Sequence, residues 1–169
     1  MLSLDDYYRD LSHLKPALRE ARNFDHPDAL DWDRLFSDLD DLARGYSVQA
    51  PLYDFAGHLR RGSRTIEAPQ RVLIVEGMFV LQRARLRATL DLSIFIDLPR
   101  ETCLQRRLAR DTQERARSPR SVREQFVSTV EPMYREHVLP TKTHADLVVD
   151  GRRPLAEAEE IVAEAAGEF

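Results

Sequence analysis

Two short apolar runs, each closing on a carboxylate, constrain this chain more than any other feature. Val72-Leu73-Ile74-Val75 ends at Glu76-Gly77, and Leu92-Ser93-Ile94-Phe95-Ile96 ends at Asp97. Runs this short, rich in β-branched residues and lacking strict polar alternation, read as buried strands of a parallel sheet. A weaker third run, Leu147-Val148-Val149, ends at Asp150-Gly151.

Helical patterns surround these runs. After Trp32, apolar residues recur at Leu35, Phe36, Leu39, Leu42 and Ala43, with Asp31 placed to cap the start and Gly45 to stop the end. Pro99 opens a second helix through Leu104 and Leu108, and Ser121 to His137 forms a third, interrupted near Pro132. Pro154 opens a C-terminal Ala/Glu-rich helix. Val48 to Tyr53 and Arg64 to Glu67 flank a turn-rich stretch, Asp54 to Ser63, which reads as a projecting β-hairpin. Strands and helices alternate, so the class is α/β with a mainly parallel sheet. A length of 169 residues predicts one domain, residues 1–169.

Charge divides the chain. Residues 1–45 carry eleven acids against six bases, whereas residues 100–123 carry eight arginines against Glu101, Asp111 and Glu114. Guanidinium groups clustered in a chain of net charge -4 make a candidate anion site, because each can hold phosphate oxygens through paired hydrogen bonds. A solvated helix face with intrahelical ion pairs is the simpler alternative. The acidic balance, and a basic stretch without interleaved aromatics, argue against a nucleic-acid partner. No apolar run approaches the roughly 18 residues of a membrane span. The lone cysteine, Cys103, fits a reducing cytoplasm.

In open α/β sheets ligands bind beyond the carboxyl ends of the strands. Glu76 and Asp97 occupy such ends, as does Asp5 if Leu2-Ser3-Leu4 is the tail of another strand. One carboxylate there could take a proton from an attacking hydroxyl while a second holds magnesium, and the arginine block would stabilise a moving phosphoryl group. His26 and His58 lie in no HExxH or Cys-rich context, so a metal role is disfavoured. There is no GxSxG elbow, and Cys103 in mid-helix reads as packing.

An ordered set of motifs then resembles the uridine kinase (uridine–cytidine kinase) family of P-loop kinases, near phosphoribulokinase. The motifs are Asp-x-Tyr-Tyr (Asp5 to Tyr8), Asn-Phe-Asp-His-Pro-Asp-Ala (Asn23 to Ala29) and Pro-x-Tyr-Asp-Phe-x-x-His-x-Arg (Pro51 to Arg60). They continue with Val-Glu-Gly (Val75 to Gly77), Arg-Arg-x-x-Arg-Asp-x-x-Glu-Arg (Arg106 to Arg115) and Pro-Thr-Lys-x-x-Ala-Asp (Pro140 to Asp146). The resemblance implies transfer of the γ-phosphoryl group of ATP or GTP to the 5′-hydroxyl of uridine or cytidine, with magnesium (Mg2+), in cytoplasmic pyrimidine salvage. It implies Asp5 as catalytic base and Glu76 as the acid positioning magnesium. Asp25 and Arg107 would hold the ribose hydroxyls, and Tyr53 and His58 would grip the base. Tyr8, Arg117 and Gln125 would complete the nucleoside pocket, and Arg110 and Arg115 would act as lid arginines on the triphosphate. It also implies a homo-oligomer, commonly a tetramer.

The sequence departs from the family's pattern in two places. Ala116 stands where the family usually has glycine between two lid arginines, and no GxxxxGK[ST] phosphate loop occurs in these residues. The expectation is therefore a P-loop kinase-like parallel sheet lacking its N-terminal strand, P-loop and helix, inactive by itself. The alternatives are a phosphoribulokinase-like small-molecule kinase, a non-catalytic nucleoside-binding remnant, and an interaction protein with no small ligand.

Overall fold

The computed structural model describes residues 1–69, 71–114 and 117–167. The chain divides into two compact units, Met1–Val80 and Leu81–Phe169.

In the first unit, β1 (Leu2–Ser3) leads into a tight 3-10 turn at Leu4–Tyr7, followed by a short helix, α1 (Pro16–Glu20). The long helix α2 (Trp32–Ala43) begins as the sequence predicts, with the Asp31 carboxylate accepting from the Arg34 N–H at 3.2 Å. It ends near Gly45, whose φ of 86° suits a residue without Cβ. The hairpin strands β2 (Val48–Asp54) and β3 (Leu59–Ile66) pair antiparallel, and β4 (Val75–Glu76) pairs parallel with β1. Leu2, Leu4, Tyr7, Leu30, Leu35, Leu42, Val48 and Ala50 form the buried interior of this unit. Inside it the Tyr7 hydroxyl donates to Asp38 at 2.9 Å, and Arg34 donates to the same carboxylate at 3.1 Å. Burial, then the Asp38 contact, pushes the Tyr7 phenol up, so it stays a donor.

The second unit begins with the short helix α3 (Ala84–Arg87), then β5 (Ile94–Asp97), α4 (Arg100–Glu114) and α5 (Pro119–Gln125). Helical chain continues through widened turns at 126–130 and 134–138, on either side of α6 (Glu131–Met133), to a 3-10 turn at Leu139–His144. Pro132, which cannot donate a backbone hydrogen bond, is absorbed by this widening rather than breaking the helix. β6 (Leu147–Asp150) pairs parallel with β5, and α7 (Leu155–Ala166) follows Pro154. The class is α/β, with parallel strand pairs and flanking helices.

The strands differ from expectation in extent. The run at 72–75 gives only Val75 and Glu76 to a ladder, because β1 offers only Leu2 and Ser3 to pair with. Val72 and Ile74 are 76% and 58% exposed, and Ile96 in β5 is 65% exposed. Burial on both faces requires layers packed over both sides of a sheet, and among the described residues β4 and β5 each belong to a two-stranded pair whose side chains at 74 and 96 stay open. The hairpin loop is also tighter than the sequence suggested. β3 starts at Leu59 rather than Arg64, because a register shift near Leu52 and a left-handed His58 (φ 52°) close the turn early.

Asp146 of the Pro-Thr-Lys motif joins the starts of β5 and β6. Its carboxylate accepts from the Ser93 N–H at 2.8 Å and the Ser93 hydroxyl at 2.6 Å. These bonds hold its carboxyl below the usual range. A carboxyl lowered in the folded state contributes stability above its unfolded pKa of about 4, and loses it as pH falls through the folded value. Asp146→Asn is therefore expected to flatten the fall in urea-unfolding free energy between about pH 5 and pH 2. An unchanged acid limb would show that the Ser93 contact contributes nothing.

Candidate active site

The Asp5–Tyr8 segment emerges from the carboxyl end of β1, and its side chains are held by different partners. The Ser3 hydroxyl accepts from the Asp5 N–H at 3.3 Å. Asp6 pairs with Arg64 at 3.0 Å, Tyr7 is buried against Asp38, and the Tyr8 hydroxyl donates to the Phe24 carbonyl at 3.2 Å. The side chain of Asp5 is exposed. Glu76, also exposed, closes β4 opposite Ser3 in the parallel register, so both acids stand at one carboxyl edge. The glycine after Glu76 is required by close packing. At Gly77 φ is 143°, and a Cβ there would lie 2.7 Å from the Leu4 Cβ.

Beyond this edge lies an aromatic enclosure. Tyr53 sits 5.2 Å from Tyr8 and 5.3 Å from Phe55 between ring centroids. Phe24 meets Tyr8 edge-on at 5.7 Å and stacks on His58 at 4.3 Å with planes 12° apart. Tyr53 is 8% exposed, and its buried hydroxyl makes no hydrogen bond among the described residues. Burial, with the charge of Asp10 behind it, pushes this phenol up to about 12. It therefore stays a protonated donor, and an unpaired buried donor is costly unless a ligand accepts from it.

Arg60 of β3 fastens the hairpin to this segment. Its Nε donates to the Tyr8 carbonyl at 2.9 Å and its Nη2 to Asp31 at 3.0 Å. Asp25 lies in the loop before α2, where the Asn23 side chain accepts its N–H at 3.0 Å. His26, disfavoured as a metal ligand, has a capping role: its Nδ1 accepts the Asp28 N–H at 3.1 Å. Asn23 and His26 thus shape the loop that carries Asp25.

In the second unit the arginine block gathers around one acid. Asp111 is fully buried, with Arg110 at 2.9 Å, Arg107 at 3.5 Å and Arg117 at 3.7 Å. The Gln125 side-chain oxygen accepts from both Arg107 and Arg117. Leu104, Leu108, Val122 and Phe126 pack beneath, which joins α4 to α5 and explains why residues so far apart in sequence meet. Arg107, Arg117 and Gln125 are therefore brought together, whereas Arg115 and Ala116 lie outside the described residues. Asp97, flagged as a strand-end acid, is paired to Lys142 at 2.7 Å. It borders a hollow of about 380 Å³ shared with Leu98, Pro99, Val148, Asp150 and Arg152.

Sequence reasoning did not single out Phe24, Phe55, Arg60 and Asp111 as site-shaping residues. Each lay within a quoted motif, which was the available signal. Their importance follows from contacts between segments, which a linear pattern does not show.

The model of the phosphoribulokinase / uridine kinase family matches residues 1–155. The chain belongs to this family. It is 44% identical over 149 residues to the uridine kinase of Aeromonas salmonicida (strain A449), covering 88% of this chain and 70% of that protein. It is 42% identical over 145 residues to the uridine kinase of Salmonella paratyphi B, covering 86% of this chain and 68% of the relative. The fold is shared with a putative fructose transport system kinase from Silicibacter sp. TM1040. That match has a TM-score of 0.68 at 20% identity and covers 87% of this chain and 72% of the other. Among the described residues, no helix of this family member is long and apolar enough to cross a membrane.

Two glycines give a test of the close packing behind Glu76. Gly62 has φ 93°, and a Cβ there would meet nothing within 4 Å, so Gly62→Ala incurs backbone strain alone, about 1–3 kcal/mol. Gly77→Ala adds overpacking against Leu4, about 1–3 kcal/mol more. Urea melts of the two variants should rank in that order, and equal losses would show that Leu4 gives way freely.

Proposed function

We propose that this chain supplies the acceptor-binding and phosphate-handling residues of a pyrimidine ribonucleoside kinase. The reaction is transfer of the γ-phosphoryl group of ATP or GTP to the 5′-hydroxyl of uridine or cytidine, giving UMP or CMP. The observation that carries this reading is the buried Tyr53 hydroxyl, which makes no hydrogen bond among the described residues, inside an enclosure of Tyr8, Phe24, Phe55 and His58. A flat heterocycle with carbonyl edges matches such a site, with aromatic walls to pack on and a fixed donor to meet.

The roles follow the chemistry of each group. Tyr53 donates to the pyrimidine and His58, braced by Phe24, presents a second polar edge. Asp25 and Arg107 hold the ribose hydroxyls, and Tyr8, Arg117 and Gln125 complete the nucleoside pocket. Asp5, exposed at the end of β1, takes the proton of the 5′-hydroxyl as its oxygen attacks the γ-phosphorus and the bond to the leaving nucleoside diphosphate breaks. Arg110 and Arg115 neutralise negative charge on the donor phosphates. Glu76, an exposed hard-oxygen donor at the same edge as Asp5, fits a magnesium site built from one or two carboxylates plus phosphate oxygens. Bound magnesium would supply charge neutralisation on the donor. The lone Cys103 supports a cytoplasmic setting.

Titration of uridine into the full chain by calorimetry tests the reading. Tyr53→Phe is expected to weaken uridine binding roughly tenfold, the worth of one hydrogen bond. Because the hydroxyl has no hydrogen-bond partner among the described residues, the same variant should not lower the thermal midpoint. A sugar phosphate acceptor of the phosphoribulokinase kind would be indifferent to Tyr53. A folded chain that binds neither uridine nor cytidine, or that binds uridine equally well as Tyr53→Phe, would overturn the proposal.

A further inference from the structure

Arg19, near the end of α1, belongs neither to the aromatic enclosure nor to the acidic edge, yet its guanidinium donates to three main-chain carbonyls. Nε meets Leu14 at 2.8 Å, Nη2 meets Ser12 at 3.3 Å and Nη1 meets Gly57 at 3.3 Å. The first two lie in the loop that leads into α1. The third lies in the hairpin turn, on the residue directly before His58. One side chain therefore ties the 12–14 loop to the tip of the hairpin.

The tie bears on a backbone conformation that side chains rarely adopt. His58 has φ 52°, which crowds the Cβ of any residue other than glycine. That angle describes how the peptide plane between Gly57 and His58 is turned, and the carbonyl of this plane is the one that Arg19 holds. A second tie follows two residues on, where the Asp10 carboxylate accepts the Arg60 N–H at 3.3 Å. Asp10 is itself fixed by Ser12, whose hydroxyl donates to it at 2.6 Å. The peptide planes before His58 and after Leu59 are thus both held by the segment that runs from Asp10 to Arg19.

The turn has little slack of its own. A Cβ at Gly57 would lie 2.9 Å from Oδ2 of Asp54, and Asp54 is paired with Arg61 at 2.8 Å. The imidazole is braced separately by Phe24, stacked on it at 4.3 Å. Uncommon backbone conformations persist where the surroundings over-determine them, and they concentrate at ligand sites. A planar guanidinium suits the task, because its rigid fork of donors can span several carbonyls at once. We propose that Arg19 is a positioning residue, which fixes the direction from which the His58 imidazole meets the pyrimidine. This rests on the nucleoside reading above and extends the grip on the base to a residue outside the hairpin.

A double-mutant cycle tests it. Uridine is titrated by calorimetry into the full wild-type chain, Arg19→Ala, His58→Gly and the double variant. Glycine at position 58 keeps the left-handed turn without strain and removes the imidazole. Positioning predicts that Arg19→Ala weakens uridine binding about fivefold in the wild-type background, the worth of one misplaced hydrogen bond. It predicts no further loss where position 58 is glycine. An equal loss in both backgrounds marks a general loosening of the hairpin and overturns the proposal, as does no loss in either. A wild-type chain that binds no uridine refutes the nucleoside reading and the inference with it, a result distinct from uridine bound equally well by Arg19→Ala. Arg19→Lys, which keeps the charge but not the fork, replaces alanine in the cycle should Arg19→Ala fail to fold, with the same outcomes expected. Should neither variant fold, NMR of the wild-type chain decides. A slowly exchanging Arg19 Nε–H, with His58 ring resonances already displaced by Phe24 before uridine is added, supports the proposal. A fast-exchanging Nε–H, or ring resonances displaced only on adding uridine, overturns it.

Discussion

The guanidinium of Arg60 connects two parts of the first unit that carry different chemistry. It donates to the Tyr8 carbonyl, at the end of the segment bearing Asp5, and to Asp31, the residue that caps α2. Because Arg60 belongs to β3, the same bonds draw in the hairpin that carries Tyr53 and His58. A charged group with several fixed acceptors is far less free than a lone hydrogen bond, so the aromatic enclosure and the acidic edge keep a common frame. Arg64, further along the same strand, repeats the tactic by pairing with Asp6.

The second unit uses the inverse arrangement. There a single buried carboxylate organises several arginines, and an apolar seam between α4 and α5 sets their spacing. In both units one charged side chain defines the positions of others that remain accessible. A site assembled this way can present charge to a ligand without waiting for the ligand to collect it, which lowers the ordering entropy lost on binding.

Much of the architecture could be read in advance, and the reasons are local. Asp31 and Gly45 bound α2 as their residue types require, and β5 with β6 ends on Asp97 and Asp150 as the apolar runs indicate. The motif from Asn23 to Ala29 was legible as a unit, although the capping role of His26 was not. The misjudged parts depend on neighbours. How much of 72–75 enters a ladder depends on what β1 can offer, and where β3 starts depends on a left-handed His58 and a register shift near Leu52. Neither is encoded in the strand's own composition.

From sequence alone, apolar periodicity and strand-end acids determined the α/β class, and ordered motifs pointed to the family that the comparisons establish. Those signals are short-range, since a cap, a helical repeat or a strand terminus involves residues a few positions apart. Tertiary structure alone decided that the Tyr53 hydroxyl is buried with no hydrogen bond among the described residues, that Phe24 backs His58, and that Arg107, Arg110 and Arg117 gather at Asp111. Each of these depends on burial and on contacts between distant segments. Burial changes the worth of a polar group by more than its identity does.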